Sequence, residues 1–221
     1  MDWLRKKYSI NDLSKSLQRV KKQKRNNFKI AIIDDEPFLY LEELKKLDFV
    51  IHQYNDINTL DMLSSYNIII CDIKGVGKIF NSVYEGAFLI SELIKKYPYK
   101  VFAAYTGSAF DISINRFLDG AEIIKKDIAI DEWADAIDSL IIKVSDPIVL
   151  WKKLRIDLLN RDIEIRTLAD LEHKYVDTIL NKKSDFSNFL SEKQKSNLSQ
   201  TTIDLISNVI VKGALAYFSQ L

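Results

Sequence analysis

The sequence predicts an α/β protein: a doubly wound, five-stranded parallel sheet, preceded by a basic N-terminal helix and followed by an all-α C-terminal region. Three observations carry this. Between residues 28 and 146, apolar β-branched runs alternate with helix-like stretches, the pattern of βαβ units. The run Ile68-Ile69-Ile70 is continuously apolar rather than alternating, as in a strand buried on both faces. Beyond Pro147 the strand pattern stops and helical spacing takes over.

Composition bounds what such a chain can do. Of 221 residues, 47% are apolar and 29% charged, with a formal net charge of +1, which excludes global disorder. No stretch reaches the ~18 uncharged apolar residues of a membrane helix. No apolar segment follows Arg5, Lys6 and Lys7, so no signal peptide is expected. A single cysteine, Cys71, excludes an internal disulfide framework and fits a reducing, cytoplasmic setting. One Cys with two His (His52, His173) is too small a set for a zinc site of those ligands, so any metal is expected to be a hard cation on carboxylates. The near-neutral total hides an asymmetry: residues 1–27 carry a net +7, residues 28–146 a net −8 and residues 147–221 a net +2. These are read as a basic arm, an acidic domain and a helical tail domain, with Pro147 at the second boundary.

In chain order, Trp3, Leu4, Tyr8, Leu13, Leu17 and Val20 recur at helical spacing among lysines and arginines, giving a basic amphipathic helix whose apolar edge is expected to pack on neighbouring structure. Strands are expected at Phe28–Ile33, Phe49–Ile51, Asn67–Cys71, Val101–Tyr105 and Ala121–Ile124. Helices are expected at Phe38–Leu47, Ile57–Ser65, Glu85–Tyr97, Phe110–Leu118 and Glu132–Val144. From Ile148, the residues Trp151, Leu154, Leu158, Ile165, Leu168, Tyr175 and Ile179 follow spacings of three, four or seven and predict one helix of about thirty residues, long for a globular protein. Asn181–Asp185 ends it. A short helix near Phe186–Lys195 and a last one from Ile203 to Leu221, with Ser199 as N-cap, complete a hairpin or bundle.

Ligands of an open α/β sheet bind beyond the carboxyl ends of its strands. Just past the apolar runs stand Asp34, Asp35 and Glu36; Asp72; Thr106, Gly107 and Ser108; and Lys125, Lys126 and Asp127. Clustered carboxylates stay ionised together only if a cation neutralises them, and Mg²⁺ suits oxygen ligands and phosphate chemistry. One carboxylate could then act as a nucleophile toward phosphorus, with the hydroxyl and ammonium holding phosphoryl oxygens.

The order Ile-Ile-Asp34-Asp35-Glu36-Pro37, Ile-Ile-Cys-Asp72, Tyr-Thr106-Gly-Ser and Gly120-Ala121-Glu-Ile-Ile-Lys-Lys126-Asp127 resembles the receiver domain of two-component response regulators, over about residues 28–146. The resemblance implies a sheet of strand order 2-1-3-4-5. It implies Asp72 as phosphoacceptor, Asp34 and Asp35 as the acidic pair for Mg²⁺, with Asp35 the more direct ligand, together with Asp72 and the backbone carbonyl of Lys74, Thr106 as the switch hydroxyl, and Lys126, with Lys125 as the alternative, as the phosphoryl-contacting lysine. It further implies a sensor histidine kinase or phosphotransfer protein as partner, and self-phosphorylation without turnover of a separate substrate. Two features depart from the family: the segment after Asp72 is extended by Lys78–Tyr84 without a proline, and Ile123 and Ile124 stand where an aromatic is usual on the fifth strand.

Other readings stay open at this point. Asp34 and Asp35 could cap a helix near Pro37, Asp72 could belong to a turn, Thr106 could cap a helix and Lys126 could be a solvated lysine. Gly75-Val-Gly77-Lys78 lacks the upstream glycine and following Ser/Thr of a phosphate loop. Cys71 reads as a core thiol, and His52 and His173 carry no catalytic signal. The last helix holds only Lys212 as a cation, so DNA binding by the tail is not expected. A second protomer could complete the helical bundle, as a homodimer through the C-terminal helices. The alternatives to phosphotransfer are a pseudo-receiver scaffold or dimerisation module and a DNA-binding regulator using the basic arm.

Overall fold

The structure, a computed structural model, describes residues 7–16, 24–107, 112–183 and 189–218. Expectations resting on Trp3, Leu4, Leu17, Val20, Ser108, Phe110 and Phe186 therefore lie outside the described residues. The chain forms two compact units, Gln23–Val144 and Met1–Lys22 together with Ser145–Leu221. Among the described residues, no helix is long and apolar enough to cross a membrane.

In the first unit, β1 (Lys29–Ile33), β2 (Val50–Tyr54), β3 (Ile68–Asp72), β4 (Val101–Thr106) and β5 (Ala121–Lys125) form one parallel sheet in the order β2-β1-β3-β4-β5. Successive residues feed opposite layers. Ile30, Ile32, Ile68, Ile70, Ala103 and Tyr105 join one core cluster with Trp133, Ile137 and Leu140 of α4 (Ile130–Ser145). Ala31, Ile33, Ile69, Cys71, Phe102 and Ala104 join the other with Leu89, Ile90 and Leu93 of α3 (Glu85–Lys96). This two-sided burial explains why the central strands read as unbroken apolar runs.

Two of the expected helices are corrected. Ile57–Ser65 contains only the 3-10 turn Leu60–Leu63, and the described part of Phe110–Leu118 is the 3-10 helix Ile112–Phe117. Both are short and rich in Asn, Ser, Thr or β-branched residues, which favour turns over a costly helix nucleus. The helix α2 (Leu41–Lys46) starts later than the expected Phe38. Strand β2 runs on to Tyr54, past the expected Ile51.

Among the described residues, the second unit is all helical: α1 (Ile10–Ser16), α5 (Pro147–Asn160), α6 (Ile165–Leu180), α7 (Glu192–Ser196) and α8 (Gln200–Phe218). The expected thirty-residue helix is in fact α5 and α6. Its break is a Schellman closure built on Asp162 at φ 57°, with Ile163 N–H donating to Leu158 O at 3.1 Å and Asp162 N–H to Leu159 O at 3.0 Å. No glycine marks that stop in the sequence. Asp146 caps α5 through Ile148 N at 2.7 Å, and Ser199 Oγ accepts from Thr202 N at 3.3 Å at the start of α8. Leu13 of α1 is buried; Tyr8 N–H donates to His173 Nδ1 at 2.8 Å and Ile10 N–H to Glu172 Oε1 at 3.0 Å. His173 is thus a backbone acceptor within the helical unit.

Candidate functional site

The site is assembled at the carboxyl edge of the sheet, where β1 and β3 lie side by side and β4 flanks β3. Asp34 continues β1 by one ladder bond, its N–H donating to Tyr54 O at 3.0 Å. The loop behind it is held by Gln53 of β2, which accepts from Phe38 N at 3.0 Å and donates to Glu36 O at 2.6 Å and Asp34 O at 3.3 Å. Asp72 ends β3 in register with Tyr105 of β4, and Thr106 follows at the last position of β4, opposite Lys125.

Oxygens of Asp34, Asp35 and Asp72 lie within 4.8 Å of one another. Asp34 and Asp72 are buried, whereas Asp35 is exposed. The Lys126 ammonium reaches into this cluster, 2.9 Å from Asp72 Oδ2 and 3.2 Å from Asp34 Oδ2. Lys125, by contrast, is an exposed residue of β5. Neither aspartate of the pair caps a helix: α2 begins at Leu41 behind Tyr40, which makes no side-chain cap, and Asp34 Oδ1 instead accepts from Glu36 N at 2.9 Å. Lys74 is exposed just past β3, its amide 3.4 Å from Asp72 Oδ1.

Glycine sets the close approaches. Gly75 has φ +75°, and a Cβ there would stand 2.4 Å from the Asp35 carboxylate. Gly86, in the first turn of α3, lies against the Asp72 carbonyl. The long segment between them is tied down by two carboxylates: Glu85 accepts from Gly75 N at 3.0 Å, and Asp56 accepts from Gly77 N at 2.8 Å and Lys78 N at 3.1 Å. The Gly75–Lys78 stretch therefore binds carboxylates of its own chain, in keeping with its failure as a nucleotide loop.

The electrostatics follow from burial and pairing. Desolvation alone would lower the Lys126 ammonium, but its hydrogen bonds and charge contacts with Asp72 and Asp34 outweigh it and hold the group above its ordinary value. The Tyr105 hydroxyl donates to Asp34 Oδ2; burial first, then that carboxylate, pushes the phenol far up, so it stays a neutral donor. Burial, reinforced by the charges of Asp72, Asp56 and Asp34, likewise keeps Cys71 a thiol.

An all-carboxylate donor set, free of sulfur and imidazole, suits a hard divalent cation. A cavity of about 700 Å³ opens beside it, lined in part by Asp34, Glu36, Lys126 and Asp127 and by the rings of Phe38 and Tyr105. Asp34, Asp35, Asp72 and Lys126 thus meet in one place, with Thr106 and Lys74 on the bordering strand end and loop. Sequence reasoning missed Gln53, Asp56 and Glu85, whose roles are contacts across loops with no local motif. Nor did it mark Tyr105 as a partner of Asp34; the one available signal was a phenol beside the strand-end threonine.

The sheet order and the acidic residues at its carboxyl edge define a receiver-like α/β unit. No protein-family model matches the sequence, and no curated protein matches it. Among solved structures, the chain is similar to NtrX from Brucella abortus in complex with ATP, at 17% identity and a TM-score of 0.43 over 69% of this chain and 34% of that one. It is also similar to full-length FixJ from B. japonicum, at 18% identity and a TM-score of 0.44 over 87% of this chain and 97% of that one. The chain therefore spans about a third of the NtrX chain and nearly all of the FixJ chain.

Proposed function

We propose that this chain is a response-regulator-like signalling protein of the cytoplasm that accepts a phosphoryl group on Asp72. The observation that carries the reading is the meeting of Asp34, Asp35, Asp72 and Lys126 at one strand edge. The donor is a phosphohistidine of a sensor kinase or phosphotransfer protein, or a small acyl phosphate. An Asp72 carboxylate oxygen forms the new O–P bond, and the donor's bond to phosphorus breaks with its electron pair leaving on the donor. Lys126, already on Asp72, moves its hydrogen bonds onto the arriving phosphoryl oxygens, and Thr106 offers its hydroxyl from the adjoining strand end. Asp34, Asp35, Asp72 and the Lys74 carbonyl would hold Mg²⁺, which when bound supplies neutralising charge for the phosphoryl oxygens. The protein turns over no separate substrate. Its C-terminal residues 147–221 pass the change to protein partners, a second copy of the chain among them.

One observation favours a second reading. Lys126 and the Tyr105 hydroxyl already compensate Asp34, as an inert pseudo-receiver scaffold would require. Incubation with acetyl phosphate and Mg²⁺, followed by intact mass measurement, separates the two. A phosphoryl adduct absent from Asp72→Asn supports phosphotransfer; no adduct, or one that persists in that variant, supports the scaffold.

A further inference from the structure

Asp34 and Asp35 are neighbours in sequence but differ in what surrounds them. Asp34 is 1% exposed, and both its oxygens are engaged: Oδ1 accepts from Glu36 N at 2.9 Å, while Oδ2 accepts the Tyr105 hydroxyl and lies 3.2 Å from the Lys126 ammonium. A carboxylate oxygen offers about two acceptor sites, so Oδ2 is filled. Asp35 is exposed and its carboxylate rests against Gly75.

The phenol cannot readily leave. Tyr105 is fully buried, with the rings of Phe38 and Trp133 edge-on to it at 6.1 and 5.6 Å, and the Lys126 ammonium lies 5.2 Å from its ring centre. Its hydroxyl is thus delivered to Asp34 by packing on β4 and α4 rather than by a mobile loop. Removing only that oxygen would return one acceptor site to the pocket and leave the packed ring in place.

This difference bears on which cation the pocket prefers. Mg²⁺ keeps several waters and is satisfied by one or two carboxylates, whereas Ca²⁺ takes six to eight oxygens and gains more from each added one. We propose that Tyr105 is a specificity-determining residue of the cation pocket: by holding Asp34 Oδ2 on its hydroxyl, it leaves that carboxylate only Oδ1 for an ion and so favours Mg²⁺ over Ca²⁺. The inference rests on the reading that this pocket takes a divalent cation.

The test is calorimetric titration of the full chain with Mg²⁺ and with Ca²⁺, in wild type, Tyr105→Phe, Asp34→Asn and the double variant. The ratio of the Ca²⁺ to the Mg²⁺ Kd should fall on the order of fivefold in Tyr105→Phe, as one carboxylate oxygen becomes available, and by less than twofold when the same change is made in Asp34→Asn. A ratio that stays put or rises in Tyr105→Phe, or falls equally in both backgrounds, overturns the proposal. Should Tyr105→Phe not fold, Tyr105→Leu, which also removes the hydroxyl, is titrated instead: the same fall in the ratio supports the proposal, and an unmoved or rising ratio overturns it. Wild type binding neither ion defeats both this inference and the phosphotransfer reading. Wild type binding Mg²⁺ with an unmoved ratio defeats this inference alone.

Discussion

Gly86 lies against the main-chain carbonyl of Asp72: a Cβ at residue 86 would stand 1.9 Å from that oxygen. The contact is with backbone, which cannot swing aside, so α3 can approach the end of β3 only with glycine at this position. Gly86→Ala should therefore destabilise the fold by about 1–3 kcal/mol, the usual cost of overpacking a well-packed site. Urea denaturation reads this directly. A midpoint equal to that of wild type would show that the helix can shift without penalty.

Gly75→Ala should act on ligand binding more than on stability. Its neighbour is the Asp35 carboxylate, a side-chain end that can rotate away, but the φ of +75° is unfavourable for alanine by roughly 1–2 kcal/mol. The displaced carboxylate should weaken Mg²⁺ binding by about tenfold, comparable to losing one charge-assisted contact. Calorimetric titration of the variant checks this against its melting temperature.

Lys126→Met leaves Asp34 and Asp72 buried without their shared ammonium. With Lys126 30% exposed, the loss should be about 1–3 kcal/mol, below that of a fully buried pair. Mg²⁺ should then stabilise the variant more than it stabilises wild type, because the ion replaces the missing charge. The pH dependence has a definite sign. Folding raises Lys126 above its ordinary 10.5, so its contribution is complete below that value and is lost as the pH rises through the higher folded value. The stability gap between wild type and Lys126→Met should stay flat across neutral pH and close as the solution becomes strongly alkaline, as measured by urea melts.

Cys71 is fully buried and held as a thiol by its surroundings. A disulfide reagent at mildly alkaline pH should modify it only after denaturant is added, at the rate of global unfolding. Rapid modification of the folded protein would place the thiol in an accessible site.

The residues that were legible in the sequence are those whose signal is local. Ile68–Ile70 announced a doubly buried strand, and Asp34, Asp72 and Lys126 stood out because charge interrupts apolar runs there. What escaped depends on geometry that only the folded chain creates. The helix stop at Asp162 uses a left-handed non-glycine residue, as do the ends of α2 at Asp48 and α6 at Lys182, so the usual glycine mark is missing. Gln53 and Asp56 act on loops that reach them only after the parallel strands have paired. The preference for Lys126 over Lys125 comes from the family resemblance, and the ammonium at the carboxylates is indeed that of Lys126, with Lys125 exposed; the isoleucine pair of β5 does not itself reveal the phase of that two-residue periodicity.

The central claim is that Asp72 is the residue that takes the phosphoryl group. Borohydride reduces an acyl phosphate to an alcohol, so treatment after incubation with acetyl phosphate and Mg²⁺ should convert residue 72 alone to homoserine, as located by peptide mass mapping. Conversion should be lost when Mg²⁺ is chelated. Homoserine at another acidic position, or none at residue 72 under conditions where the donor is consumed, would contradict the account.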